Sequence, residues 1–185
     1  MHSVAGQLNI PNSLTLIRLV LVPVVVWLLT VGAYPAAFWV FVAAALSDAL
    51  DGFFARILNQ HTPLGATLDP IADKLMLLSS LSVLVWLGHV PGWLLGVIVL
   101  RDALIIGGAL VYRHRFGHLE ITPTWLGKFH TLLEFVVVLL VLADAAQILL
   151  LGHWLTWLFS LLLLTAFSSA TQYVWLWARK ALAHI

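Results

Sequence analysis

The sequence contains no cysteine, so disulfide bonds and thiolate metal sites are both excluded. Charged residues are scarce as well, at 9% of the 185-residue chain, whereas soluble domains carry about 25%. The formal net charge is only +1, and no run of basic residues is present, which excludes nucleic-acid binding through a basic surface. A chain with so few charged residues is therefore expected to lie in an apolar environment.

Apolar residues make up 62% of the chain, which is the composition of an integral membrane protein. Three stretches lack Asp, Glu, Lys and Arg altogether: 19–47, 75–100 and 145–178. Each is longer than the roughly 20 residues that one membrane-spanning helix needs, and each is interrupted by a glycine-containing turn. We therefore expect three hairpins in an all-α fold. Its six transmembrane helices are predicted at about 12–32, 36–57, 66–88, 92–113, 126–151 and 153–178.

An even number of spans places both termini on one side of the membrane. Basic residues lie mainly in the connections between the hairpins and in the C-terminal tail, while the tight hairpin turns have none. By the positive-inside rule, these connections and both termini are cytoplasmic. The length predicts one domain, 1–185, which spans the cell's inner membrane several times and has bilayer lipid as a partner.

Acidic residues concentrate in the segment 47–74, which holds four of the eight in the chain. Asp48 and Asp51 are three residues apart, and Asp69 and Asp73 are four apart, so each pair lies on one face of a helix. Two helices joined by a turn can aim all four carboxylates at one point. Crowded carboxylates repel one another strongly in a low-dielectric setting, so we expect cations to bind between them.

We expect Mg²⁺ or Mn²⁺ rather than zinc in this segment, because carboxylates bind metals through oxygen and hard divalent cations prefer oxygen ligands. Four carboxylates can hold two ions about 3.5–4 Å apart, an arrangement that stabilises both the attacking and the leaving oxygen in phosphoryl transfer. Gly52 lets a bulky ligand approach the helix backbone, and Arg56 offers a bidentate phosphate-binding group one turn later. For Asp69 alone, an N-cap ahead of Pro70 is the structural alternative.

The spacing of eight residues in this segment resembles the signature of the CDP-alcohol phosphatidyltransferases. The pattern Asp-x2-Asp-Gly-x2-Ala-Arg-x8-Gly-x3-Asp-x3-Asp is filled by Asp48, Asp51, Gly52, Ala55, Arg56, Gly65, Asp69 and Asp73. The resemblance implies that the hydroxyl of an acceptor alcohol attacks the β-phosphorus of CDP-diacylglycerol and expels CMP. It also implies two divalent cations bound by the four aspartates, with Asp73 as the general base on the acceptor hydroxyl. The CDP end would be bound by Asn12, Gly52, Ala55, Arg56, Thr62 and Gly65.

Basic residues outside the acidic segment are candidates for binding the phosphate of the acceptor or of lipid. They are Arg18, Arg101, Arg113, Arg115 and Lys128. Arg18 and the cluster at 113–115 are also compatible with ordinary positively charged anchors at the membrane surface. Adjacent helical residues point about 100° apart, so Arg101 and Asp102 are expected to have separate partners.

The acceptor stays open between two glycerol-type alcohols. Glycerol 3-phosphate would give phosphatidylglycerol phosphate, and phosphatidylglycerol would give cardiolipin. The segment Gly127-Lys128 looks more like the first branch of the family, that of the phosphatidylglycerophosphate synthases. Arg101-Asp102, Val111-Tyr112 and the Ser-rich last helix look more like the second branch, that of the cardiolipin synthases. Glu134 departs from the Gln that both branches have at this position. Homodimers are frequent in the family, so the resemblance implies a second copy of this chain as a further partner.

An interpretation of another class is a non-catalytic membrane scaffold or a small transporter, because carboxylates in a membrane cavity also relay ions. That interpretation predicts polar groups across the full thickness of the membrane. In this sequence they gather instead toward the predicted cytoplasmic half.

Overall fold

The structure is a computed structural model that describes residues 10–58, 63–116 and 124–182, with side chains described for 15–47, 69–115 and 124–179. All regular structure in these ranges is α-helical. The helices are α1 (Ile10–Thr30), α2 (Tyr34–Leu58), α3 (Pro63–Trp86), α4 (Gly92–Phe116), α5 (Trp125–Ala145) and α6 (Trp154–Leu182). The all-α prediction is confirmed, and most helix ends lie within a few residues of their predicted positions.

The end of α5 is where the prediction is wrong, because the helix stops at Ala145 rather than near position 151. The N–H groups of Ile148 and Leu149 both bond to the carbonyl of Ala143, at 2.9 and 3.2 Å. Gln147 takes a φ of 55°, the left-handed conformation that ends many helices and that glycine usually adopts. The residues that follow are apolar, so composition alone carried the predicted helix too far.

The first of two compact units contains the described residues up to Val90, together with Val138–Leu150. In this unit α1 packs against both α2 and α3. Leu29, Phe41 and Leu84 are among its buried side chains. Packing of this kind holds helices together in lipid, where van der Waals contact replaces the hydrophobic effect as the driving force.

The second unit contains the described residues of 91–137 and 151–182, and in it α4 packs against α6. A side chain at Gly108 of α4 would collide with Trp177 of α6, since an added Cβ would lie 2.0 Å from the ring. Arg101 of α4 contacts Ser169 of α6. Both contacts advance in the same direction along the two helices, so α4 and α6 run parallel.

Within the residues that the structure describes, three helices are long and apolar enough to cross a membrane, at Gly92–Arg115, Trp125–Ala145 and Trp154–Arg179. Shorter apolar helical stretches occupy Thr15–Thr30 and Tyr34–Ser47. Many large apolar side chains on these helices are exposed, including Leu110 and Trp175, and bilayer lipid would cover them. The chain is therefore a membrane protein.

Candidate active site

Two of the four predicted acidic residues project from one face of α3, and α1 holds both of them. The Thr15 hydroxyl donates a hydrogen bond to Asp69 Oδ1 at 2.5 Å. One turn further along, Arg18 Nη1 donates to Asp73 Oδ1, also at 2.5 Å. From the first contact to the second, the residue numbers increase on both helices, so α1 and α3 run parallel. Two residues of α1 thus bond to two carboxylates of α3, one each.

Exposure differs sharply across these contacts. Thr15 and Arg18 are buried, whereas the Asp73 side chain is 44% exposed and Asp69 is partly exposed. A guanidinium among apolar helices is costly unless it is paired, so the ion pair stabilises Arg18 and also fixes the position of Asp73. Each carboxylate is thereby oriented by a buried residue of α1 and remains accessible to solvent.

The other two acids, Asp48 and Asp51, lie in the C-terminal half of α2, and their side chains are outside the described residues. The position of these two residues along the axis of α1 follows from the turn that joins α1 and α2 between Thr30 and Tyr34. Helices rise equally on both sides of a turn, so Thr15 is level with about position 49 of α2. That the two acidic pairs meet at one height along α1 stays a prediction.

The alternative role for Asp69 as a helix N-cap is wrong. α3 begins at Pro63 and Pro70 lies inside it, so Asp69 is within the helix, beyond its first turn. Proline suits the first turn of a helix because its missing N–H has no partner there, and Pro63, not Pro70, occupies that position. Asp69 is thus left with the role of a side chain that contacts α1 and faces outward.

Several predicted CDP-binding residues cannot be described beyond their backbone. Asn12 lies in α1, Gly65 in α3, and Gly52, Ala55 and Arg56 in α2. Thr62 is outside the described residues altogether, in the connection that precedes α3.

The basic candidates of the second unit fall into two groups. Arg113, Arg115 and Lys128 are exposed, the first two in the last turn of α4 and the third in the first turn of α5. Arg101 is buried instead: its Nη1 donates to Asp102 at 2.8 Å and its Nη2 to Ser169 at 2.7 Å. The exposed group is the one that a phosphate can reach.

The expectation of separate partners for Arg101 and Asp102 is wrong, because the two side chains pair with each other. The long arginine side chain spans the angular separation that adjacent helical positions impose. Its fork geometry then leaves a second nitrogen for Ser169.

Two residues that the sequence did not single out are part of these arrangements. Thr15 contacts Asp69, and Tyr173 accepts a hydrogen bond from the backbone N–H of Thr124 at the start of α5. A signal for Thr15 was present, since it precedes Arg18 by one turn just as Asp69 precedes Asp73. No spacing rule points to Tyr173.

Comparison with known proteins places these residues in a familiar context. A family model described as CDP-alcohol phosphatidyltransferase matches residues 8–177. The chain is 38% identical over 149 residues to a CDP-diacylglycerol–glycerol-3-phosphate 3-phosphatidyltransferase of Pseudomonas fluorescens, which covers 74% of this chain and 73% of the relative. It is also 38% identical over 146 residues to a cardiolipin synthase (CMP-forming) of Streptomyces coelicolor, covering 75% and 67%. A human cardiolipin synthase (CMP-forming) is 31% identical over 146 residues, covering 70% and 48%.

Proposed function

The chain belongs to the CDP-alcohol phosphatidyltransferase family, and from this premise we propose that it transfers the phosphatidyl group of CDP-diacylglycerol to glycerol 3-phosphate. The products are phosphatidylglycerol phosphate and CMP. The observation that carries the proposal is the pair of accessible carboxylates on α3, each held from behind by α1. A membrane scaffold or a transporter would not explain why two oriented, accessible carboxylates occur within a sequence signature for CDP-linked lipids.

The chemistry assigned to this pair begins with the acceptor hydroxyl. Asp73 takes the hydroxyl proton while the acceptor oxygen forms a bond to the β-phosphorus, and the bond from that phosphorus to CMP breaks. Arg18 holds Asp73 in position through the carboxylate oxygen Oδ1. Asp69 keeps the orientation that Thr15 gives it.

A divalent cation fits the donor set that the structure describes, because Asp69 and Asp73 offer oxygen ligands one turn apart and both are accessible. Enzymes of this family generally use divalent cations. We assign two ions, Mg²⁺ or Mn²⁺, to Asp48, Asp51, Asp69 and Asp73. When bound, such ions neutralise the diphosphate and polarise its oxygens.

Binding of CDP is proposed for Asn12, Gly52, Ala55, Arg56, Thr62 and Gly65, the remaining positions of the family pattern. Arg113, Arg115 and Lys128 are proposed to bind the phosphate of the acceptor, since all three are exposed cations at helix ends. Arg18 and Arg101 were candidates for the same role. Each is engaged by an aspartate, which favours the three exposed residues.

The proposed topology is six spans with both termini and the active site on the cytoplasmic side of the inner membrane. Parallel α1 and α3, and parallel α4 and α6, are what an alternating six-span path requires. The family match covers residues of both compact units, which supports one catalytic domain over 1–185. A homodimer is the proposed assembly.

The acceptor is tested by supplying the purified protein with CDP-diacylglycerol, Mg²⁺ and either labelled glycerol 3-phosphate or labelled phosphatidylglycerol. We expect label in phosphatidylglycerol phosphate and CMP release that depends on glycerol 3-phosphate. Cardiolipin as the sole product would replace the proposed acceptor with phosphatidylglycerol, which the Streptomyces relative's name makes the second candidate. Absence of CMP release with either acceptor would reject the catalytic proposal.

A further inference from the structure

The first turn of α5 is capped in an incomplete way by its own residues. The Thr124 side-chain oxygen accepts a hydrogen bond from the Gly127 N–H at 3.0 Å, and the Thr124 carbonyl accepts one from the Lys128 N–H at 3.0 Å. In a complete capping box, a Glu or Gln at the position of Gly127 would reach back to the N–H of the capping residue. Glycine has no side chain with which to do so.

The missing acceptor comes from α6. The Tyr173 hydroxyl accepts a hydrogen bond from the Thr124 N–H at 3.2 Å, and Tyr173 is only 7% exposed. Gly127 makes room for it, since a Cβ at that position would lie 3.1 Å from the hydroxyl oxygen and 3.2 Å from Cε2 of the ring. Gly127 and Tyr173 therefore act together: the absent side chain of one admits the hydroxyl of the other.

Tyr173 is connected to α4 through Trp177, its neighbour one turn later on α6. Its ring contacts Trp177 with centroids 5.7 Å apart, and Trp177 occupies the space above Gly108 where a Cβ would collide. Ser169, one turn before Tyr173 on the same face of α6, bonds to the buried Arg101. The hydroxyl is thus a fixed point of the α4–α6 pair, and the hydrogen bond to Thr124 fixes the start of α5 to that pair.

The residue that this arrangement places is Lys128. It follows Gly127 directly, its own N–H completes the cap, and its side chain is exposed. An exposed lysine loses much of its binding specificity if the backbone that carries it is free to shift, because its four-carbon stem has no fixed geometry.

We propose that Tyr173 is a positioning residue for recognition of the acceptor's phosphate: it caps α5 from α6 and thereby fixes the backbone that carries Lys128. This inference rests on the proposed function, because the phosphate is that of the acceptor alcohol. Tyr173 touches neither substrate nor reacting atoms. Its effect is on acceptor binding and not on the chemical step.

The test compares Tyr173→Phe with wild type, and Ser168→Ala serves as the matched control. The phenylalanine keeps the ring contact with Trp177 and removes only the acceptor oxygen. Ser168 is an exposed hydroxyl on the same helix that bonds only to the carbonyl of its own helix, at Leu164. Steady-state kinetics with each substrate varied separately, and hydrogen exchange of the peptide that contains Thr124, are measured for all three proteins.

For Tyr173→Phe we expect KM for glycerol 3-phosphate to rise about ten-fold, the consequence of losing one ordinary positioning hydrogen bond. KM for CDP-diacylglycerol and kcat should stay within about two-fold, because binding of the acceptor alone is affected. Exchange of the Thr124 amide should quicken in this variant and not in Ser168→Ala. An unchanged KM for glycerol 3-phosphate, or an equal loss in all kinetic constants together with a lower Tm, would overturn the positioning role.

Failure of the proposed function gives a different result. If the wild-type enzyme uses phosphatidylglycerol instead, the acceptor assignment is wrong. Amide exchange at Thr124 and the KM for that lipid then decide the role of Tyr173 independently, with the same expected directions.

Discussion

Each compact unit of this protein contains a buried arginine paired with an aspartate, and the two pairs differ in one respect. Arg18 contacts Asp73 at 2.5 Å and Arg101 contacts Asp102 at 2.8 Å. The arginine side chains are alike, at 2% and 8% exposed. The carboxylates are not, since Asp73 is 44% exposed and Asp102 only 12%.

In the proposed mechanism, this difference separates a reactive pair from a structural one. The Arg101 guanidinium donates hydrogen bonds to two partners, Asp102 and Ser169, and little of this group is exposed. We call Arg101 and Asp102 the closed pair. Asp73 instead presents its carboxylate beside a second accessible acid, Asp69. Charge pairs among membrane helices are usually taken as functional by default, but here the exposure of the carboxylate distinguishes the two roles.

The largest expected effect follows from neutralising the exposed carboxylate. Asp73→Asn removes the group that accepts the hydroxyl proton while its amide oxygen can still contact Arg18. We expect kcat for CMP release to fall by about 10³-fold, within the range typical of a lost general base. The measurement is CMP release from CDP-diacylglycerol by purified protein, with Tm recorded to show that the variant is folded.

Asp102→Asn is the matched control, since it makes the same chemical change in the closed pair. Its kcat should stay within about three-fold of wild type. A folded Asp102→Asn enzyme as inactive as Asp73→Asn would show that exposure does not separate the two pairs. Full activity of Asp73→Asn would remove that residue from the mechanism.

Helix positions were predictable from the sequence because long uncharged stretches and glycine turns act locally. Gly32, Gly88 and Gly152 all take positive φ at the predicted breaks. The early end of α5 was not predictable, because Gln147 adopts a left-handed conformation that nothing about a glutamine side chain indicates. Such an end is decided by which carbonyl the next N–H groups reach.

The placement of Asp69 and Asp73 on one face of α3 was predictable for a similar reason, since a spacing of four on a helix is local. Their partners were not. Thr15 and Asp69 are separated by 54 positions in the sequence, and Arg101 and Ser169 by 68. Only the packing of α1 on α3 and of α4 on α6 brings these residues together. Periodicity gives the face on which a residue lies, but not the helix that faces it.

A second effect, of similar free energy, is expected on stability when the closed pair is broken. Asp102→Ala leaves the Arg101 guanidinium buried without its carboxylate, and we expect the free energy of unfolding to drop by about 3–5 kcal/mol. The double variant Arg101→Met with Asp102→Ala removes the charge as well, so it should recover a large part of that loss. Unfolding in mixed detergent micelles gives both values. A double variant no more stable than the single one would mean that the loss does not come from an unpaired charge.

The smallest effect sharpens the comparison on the side of the reactive pair. Thr15→Val preserves the shape of a buried side chain and removes the hydroxyl that bonds to Asp69, so the carboxylate keeps its place in α3 but loses its anchor. We expect kcat/KM to fall about ten-fold, the equivalent of one charge-assisted hydrogen bond at its lower range, while Thr15→Ser stays near wild type. Ser169→Ala removes the corresponding hydroxyl from the closed pair and should lower Tm with kcat/KM unchanged. If Thr15→Val instead lowers Tm and spares kcat/KM, the contact with Asp69 is structural.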